Sequence, residues 1–318
     1  MSFDNSAHLQ SVLDTHKMSH IQSFVDKVKK KRNEIVDNIN SHYSTSQRYH
    51  AFNSGSMAKH TATNIKFDMD VVIPFKHSAF STLEEMFNDL YDFLYEEYGA
   101  TATVRKQKVS IGIEYPVEEG DEKPIQVDIV PGRELSDDDY STSHNLNLYF
   151  NADHWGFKKG SRQKTNIQKQ IDHISGRHNE RKIIRLLKIW KKQNSKDYKS
   201  FMLELFCIKA LDGCDSGSLW DDLKHAMEYI RDNVESESFH LYDPGNSAND
   251  IMASLSTGDK ASLKSDMMTL LNNIELFPET YLPFYFHVNE KYLGEEQGFQ
   301  KKEHNNNPSY PRTPQRFG

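Results

Sequence analysis

A chain of 318 residues with a net charge of −7, 18 Phe and 15 Tyr reads as a folded protein with room for two lobes, each with its own core. That charge excludes a protein that coats nucleic acid over its whole surface, so stable nucleic-acid binding is not expected. Two cysteines, Cys207 and Cys214, exclude a disulfide framework or an all-cysteine zinc site, and the lack of a leader-like start or a long apolar run points to a soluble, cytoplasmic protein with no membrane anchor.

From about Asn5 to Ser41 the apolar residues Ile21, Phe24, Val25, Val28, Ile35, Val36 and Ile39 recur at helical spacing, which predicts one long amphipathic helix. The run Lys27 to Arg32 is its solvated face. From Ser44 to about Asn151 the pattern changes to strands around one helix. Phe67 to Phe75 reads as a strand, and Leu83, Met86, Phe87, Leu90, Leu94 and Tyr98 mark the helix. Val109, Ile111, Ile113 and Tyr115 alternate as a second strand. The acidic piece Glu118 to Pro124 then connects by a hairpin into a strand over Ile125 to Val130, which Pro131-Gly132 should end.

Beyond Phe157 the pattern is mainly helical. Ile183, Leu186, Leu187 and Trp190 share one stripe, Phe201 to Leu211 is an apolar helix, and Leu219 to Val234 and Leu263 to Ile274 supply two more. After Gly294 the chain is polar and carries three prolines, so a disordered tail is expected. The expected fold class is α+β and bilobal. A long N-terminal helix and a mixed-sheet catalytic core occupy 1–155, a helical lobe 156–295 and the tail 296–318.

Within the strand-rich region, Asp68 and Asp70 stand at i and i+2, where a strand places both carboxylates on one face. Asp128, between the core residues Val127 and Ile129, could join them from a neighbouring strand. Three carboxylates at one place suit Mg²⁺, which takes oxygen ligands and leaves positions for substrate phosphates. Gly55-Ser56 has the chemistry of a phosphate turn: glycine admits close approach, and the Ser56 hydroxyl and nearby N–H groups donate to oxyanions. On the helix of Leu187 and Trp190, the residues Arg181, Arg185, Lys188 and Lys192 form a basic stripe opposite the apolar one, and Lys188 is the best candidate for a phosphate contact. Ser200 stands where the N-cap of the next helix is expected, and could also touch anionic oxygen. Basic residues dominate between Lys158 and Lys199, whereas Asp89 to Glu97, Glu118 to Glu122 and Glu134 to Asp139 are acidic.

Together these stretches resemble a family. Gly55-Ser56-Met57-Ala58-Lys59-His60-Thr61-Ala62 followed by Phe67-Asp68-Met69-Asp70-Val71-Val72 is similar to the signature of the DNA polymerase β-like nucleotidyltransferases. The branch resembled is that of oligoadenylate synthetase, cyclic GMP-AMP synthase and the bacterial CD-NTases. Ile125 to Val130, Ile184 to Lys192, Lys199 to Glu204 and Leu241 to Asp250 resemble the same branch, the last departing from its pattern at Ser247 and Asp250. The resemblance covers roughly residues 45 to 275, and no cysteine- and histidine-rich insertion like that of the animal enzyme is present.

The resemblance implies two Mg²⁺ ions, with Mn²⁺ as a substitute. Asp68 and Asp70 would hold both ions, Asp128 would complete the catalytic one, and Asp128 or its ion would help deprotonate the attacking ribose hydroxyl. It also implies that Ser56, Lys188 and Ser200 hold a donor triphosphate and that Phe201, an aromatic where the family commonly has Tyr, stacks on a base. The implied activity joins nucleoside triphosphates into a cyclic di- or oligonucleotide that acts on a downstream effector in anti-phage (CBASS) defence. The tail ending Arg316-Phe317-Gly318 resembles those of bacterial members conjugated at the last residue by a ubiquitin-transfer-like partner, with Gly318 as the site. Two alternatives stay open: transfer of nucleotides to RNA, a protein or a small molecule at the same site, and a non-catalytic nucleotide or RNA sensor.

Overall fold

The expected single N-terminal helix is two helices that serve two different cores. In the computed structural model, which describes residues 3–43, 47–151, 160–214 and 216–294, α1 spans Asn5–Thr15 and α2 spans Gln22–His42, with a short 3₁₀ turn at Met18–Ile21 between them. Asp4 caps α1 by accepting the Ala7 N–H. At its other end Thr15 Oγ1 donates to the Ser11 carbonyl and His16 Nδ1 contacts the Val12 carbonyl, side-chain bonds that compete with continued helix. Leu9, Val12 and Leu13 of α1 join the helical core, while Val28, Ile35, Val36 and Ile39 of α2 pack against the sheet. The helical spacing in the sequence begins at Ile21 and never covered α1.

The sheet begins with β1 (Phe52–Asn53), followed by the short helix α3 (Gly55–Ala58) and β2 (Met69–Phe75). Then come α4 (Leu83–Tyr98), β3 (Thr103–Lys106), β4 (Ile111–Glu114) and β5 (Gln126–Glu134). The short helix α5 (Tyr140–Ser143), β6 (Leu146–Tyr149) and β7 (Arg162–Thr165) complete it. Its main order is β1-β2-β5-β4-β3, with β6 on β5 and β7 on β6. Among the described residues only β2 and β5 run parallel. Met86, Phe87, Leu90 and Leu94 of α4 cover the same face as α2.

Pro131-Gly132 does not end β5, which continues to Glu134. The proline falls where β5 changes neighbours: β4 pairs it up to Ile129 and β6 from Arg133, so a missing N–H disrupts no ladder on that edge. Gly132 leaves room for its neighbour, since a Cβ there would lie 2.9 Å from the Leu146 side chain. The extension matters, because it buries Glu134. Its carboxylate accepts the Tyr49 hydroxyl at 2.8 Å, the His77 N–H at 2.9 Å and the Tyr140 N–H at 3.1 Å, tying three loops to the end of β5.

The helical lobe comprises α6 (Ile167–Ile174), α7 (His178–Gln193), α8 (Ser200–Ala210) and α9 (Leu219–Asn233), then a hairpin of β8 (Tyr242–Asp243) and β9 (Asn246–Asp250), and finally α10 (Thr257–Leu276) and α11 (Pro278–Tyr285). Trp190, Met202, Phe206, Met227, Leu270 and Phe286 sit in one buried cluster with the apolar face of α1. Ser256 and Asp259 form a reciprocal capping box at the start of α10. Among the described residues, no helix is long and apolar enough to cross a membrane.

Candidate active site

Asp70 and Asp128 are direct register partners on the parallel pair β2 and β5, so the pleat turns both carboxylates to one face. Asp68 stands just before the first residue of β2, at the entrance to the strand. Gly55, with φ 63°, packs against Asp70 so closely that a Cβ would lie 1.7 Å from Asp70 Oδ2. The turn is tied to the strand by the Ser54 N–H, which donates to the Asp70 carbonyl at 2.9 Å. Glycine is therefore needed twice over at position 55, for its backbone and for its missing side chain. Ser56 follows it on α3, and its hydroxyl makes no hydrogen bond among the described residues.

The electrostatics of this face are unfavourable without a cation. Burial, then the neighbouring Asp68 and Asp128, push the Asp70 carboxyl up to about 7 against the pull of Lys188 and Lys59. Burial and Asp68 likewise push Asp128 up to about 6, opposed by a hydrogen bond from Gln107. Among the described residues, no three acidic, imidazole or thiol groups already converge closely enough to enclose an ion. The residues nevertheless fit Mg²⁺ in kind: an all-oxygen donor set in which two carboxylates resist ionisation until positive charge arrives.

Gln107 and Gly112 belong to this site, and neither was singled out from the sequence. Gln107 Nε2 donates to Asp128 Oδ1 at 3.0 Å, and the Ser110 hydroxyl donates to Gln107 Oε1 at 2.8 Å, which fixes the amide. Gly112 is the register partner of Asp128 on β4, and a Cβ there would lie 2.4 Å from Gln107 Nε2. A glycine inside an otherwise alternating strand was the available signal.

The helical lobe supplies the opposite wall. Lys188 Nζ crosses from α7 to donate to the Thr61 carbonyl at 2.8 Å, in the loop between α3 and β2, and burial pulls its pKa down to about 8. Ser200 is a correction: it is the first residue of α8, Lys199 occupies the N-cap, and no side chain caps this end. The Ser200 hydroxyl instead accepts Lys191 Nζ at 2.9 Å. Phe201 lies under Lys59, whose Nζ is 4.4 Å from the ring centre. Lys59 also pairs with Glu204 at 2.7 Å, both side chains less than a tenth exposed. Glu204 is the lone carboxylate of a strongly apolar helix, a signal that could have marked it as paired. A cavity of about 280 Å³ beside Phe201 is lined by Lys108, Gln163 and Thr165 on the sheet side and by Lys199, Asp243 and Asn249 on the helical side. Gly318 and the tail lie outside the described residues.

The fold that carries these residues recurs in solved structures. The chain is similar to CdnC of Escherichia coli MS115-1, solved with ATP, at 19% identity and a TM-score of 0.66 over 88% of this chain and 95% of that one. The fold is that of the bacterial CD-NTases. The CdnE cyclic dinucleotide synthase of Elizabethkingia meningoseptica, solved with GTP and Apcpp, matches at 12% identity and a TM-score of 0.54, over 77% of this chain and 91% of that one. The DncV cyclic AMP-GMP synthase of Vibrio cholerae, in complex with a linear pppA(3′,5′)pG intermediate, matches at 13% identity and a TM-score of 0.58, over 78% of this chain and 70% of that one. At these identities the CD-NTase likeness is one of fold. Neither a protein-family model nor a curated protein sequence matches the chain.

Proposed function

We propose that this CD-NTase-fold protein is a nucleotidyltransferase that condenses nucleoside triphosphates into a cyclic di- or oligonucleotide, releasing pyrophosphate. The observation that carries the reading is the pairing of Asp70 with Asp128 on adjacent parallel strands, backed by Gly55 and faced by Lys188. Mg²⁺ held by Asp68, Asp70 and Asp128 would, when bound, acidify the attacking hydroxyl and neutralise charge at the phosphorus centre. The remaining steps fall to the chain itself. Ser56 and Lys188 hold the donor triphosphate, Lys188 exchanging the Thr61 carbonyl for phosphate oxygen. Ser200 contributes its hydroxyl once Lys191 yields it, and Phe201 offers its ring to a base in the adjoining cavity. Asp128, hydrogen-bonded by Gln107, takes the proton of the attacking hydroxyl in this reading.

The neighbours' described products, cyclic dinucleotides, favour this reading over single-nucleotide transfer to another acceptor. A role in anti-phage signalling, with an effector that reads the product and a conjugating partner at Gly318, extends the same proposal. The CdnC neighbour has been solved in complex with a HORMA protein, which makes a protein regulator part of the proposal as well. The test is transfer from α-³²P-labelled nucleotides with and without added RNA and protein. Label retained in a small, phosphatase-resistant product whatever the acceptor supports cyclisation, and label moving to the acceptor supports the alternative.

A further inference from the structure

Arg181, Arg185 and Lys188 fall on one side of α7, and of these only Lys188 is used by the site described above. Arg185 instead lines a separate cavity of about 290 Å³ between α1, α7 and the turn that follows α3. Its walls include His16, Met57, His60, Thr63 and Lys182, and it shares no lining residue with the carboxylate site. Among the described residues the Arg185 guanidinium makes no hydrogen bond or ion pair, and its Nε is sealed from solvent without a partner. Arg181, one turn earlier, has an orphaned Nε of the same kind.

A guanidinium whose Nε is cut off from water without a partner loses part of its solvation and gains nothing in return. Burial and the nearby Arg181 both hold Arg185 below its usual range. Asp14, the one carboxylate in the lining, offsets this only in part. Asp14 is already engaged by Lys17 at 2.9 Å and by Gln10 Nε2 at 2.8 Å. Lys182 has no ion pair among the described residues, so cationic side chains outnumber the one carboxylate in the lining.

We propose that this cavity binds a small molecule through an oxyanion group, phosphate or carboxylate, that pairs with Arg185 and Lys182. The planar fork of Arg185 suits either group, and the volume suits a small molecule. The position gives the ligand a lever on the phosphate turn. Met57 is part of α3, Thr63 lies two residues beyond the Thr61 carbonyl held by Lys188, and Arg185 stands one turn before Lys188 on α7. An anion here braces the Ser56 turn from behind.

The test is calorimetric titration and thermal melting of the full-length, metal-free protein with inorganic phosphate and, separately, citrate. At least one probe should bind and raise the melting temperature, equally in wild type and in a Ser56→Ala, Lys188→Met variant. Arg185→Met should weaken that binding by at least about tenfold. The same variant should melt no lower than wild type without ligand, since an Nε sealed off without a partner has gone. Lys182→Gln, at the same wall, should weaken binding several-fold and serves if Arg185→Met does not fold. Binding of phosphate alone assigns a phosphate ligand, and binding of citrate alone a carboxylate. Failure of both probes, undiminished affinity in Arg185→Met or, where that does not fold, in Lys182→Gln, or full competition by a nonhydrolysable ATP analogue would overturn the proposal.

Discussion

Lys59 and Glu204 form an ion pair at 2.7 Å with side chains 7% and 8% exposed, and it joins the turn after α3 to α8 across the two lobes. Removing one partner leaves the other charged and dry. Lys59→Met or Glu204→Leu alone should each lose about 3 kcal/mol in urea unfolding, whereas the double variant should lose much less than the sum. Additive losses would show that the two groups do not depend on each other.

Asp70 illustrates a site that the fold holds at a cost. Its carboxyl is raised from 3.8 to about 7, so the folded protein binds a proton more tightly than the unfolded chain does. Stability of the metal-free protein should therefore fall as pH rises from about 4 to about 7 and stay low above that. Asp70→Asn removes the effect and should stabilise the metal-free protein at pH 8 by roughly 1–3 kcal/mol while abolishing turnover. A thermal melt with and without Mg²⁺ checks this, the ion raising the wild-type midpoint and leaving the variant's nearly unmoved.

Gln107 tunes Asp128 through a single hydrogen bond at 3.0 Å that favours the ionised carboxylate. Gln107→Leu should push the Asp128 carboxyl further up, so the acid limb of the pH–rate profile should move to higher pH. At pH 8 the variant should regain much of the wild-type rate. A profile that drops uniformly, with no shift of its limb, would assign Gln107 a packing role only.

Gly55 allows no side chain. Alanine there would combine a left-handed φ of 63° with a Cβ 1.7 Å from Asp70 Oδ2, so Asp70 must move. Gly55→Ala should cut turnover by about 10²-fold or more, because a shift of an ångström in a reacting group has that effect. The fold should survive with a loss of about 1 kcal/mol from the backbone strain.

Much of this site was legible because short-range periodicity encodes it. Asp128 between Val127 and Ile129 reads as one carboxylate facing away from a core, and β5 places it so. What was not legible depends on contacts between distant segments. Nothing near Lys59 announces Glu204, and nothing near Asp128 announces Gln107, 21 residues earlier. Local rules also misled where tertiary context overrode them. Ser200 looks like an N-cap, yet Lys199 takes that place and Lys191 engages the Ser200 hydroxyl. Pro131-Gly132 looks like a strand end, yet a change of strand partner absorbs the missing donor. The continuous helix expected over 5–41 broke because two cores, one on either side of His16, each claimed a part of it.

In the proposed reaction the carboxylate strands and the facing helices together make a cyclic nucleotide. Mass spectrometry of the products formed from all four nucleoside triphosphates with Mg²⁺ tests it most directly. The expected product is a phosphatase-resistant species with the mass of a cyclic di- or oligonucleotide, absent when Asp68 and Asp70 are both replaced by Asn. Equal yield from that double variant, or linear phosphatase-sensitive products alone, would contradict it.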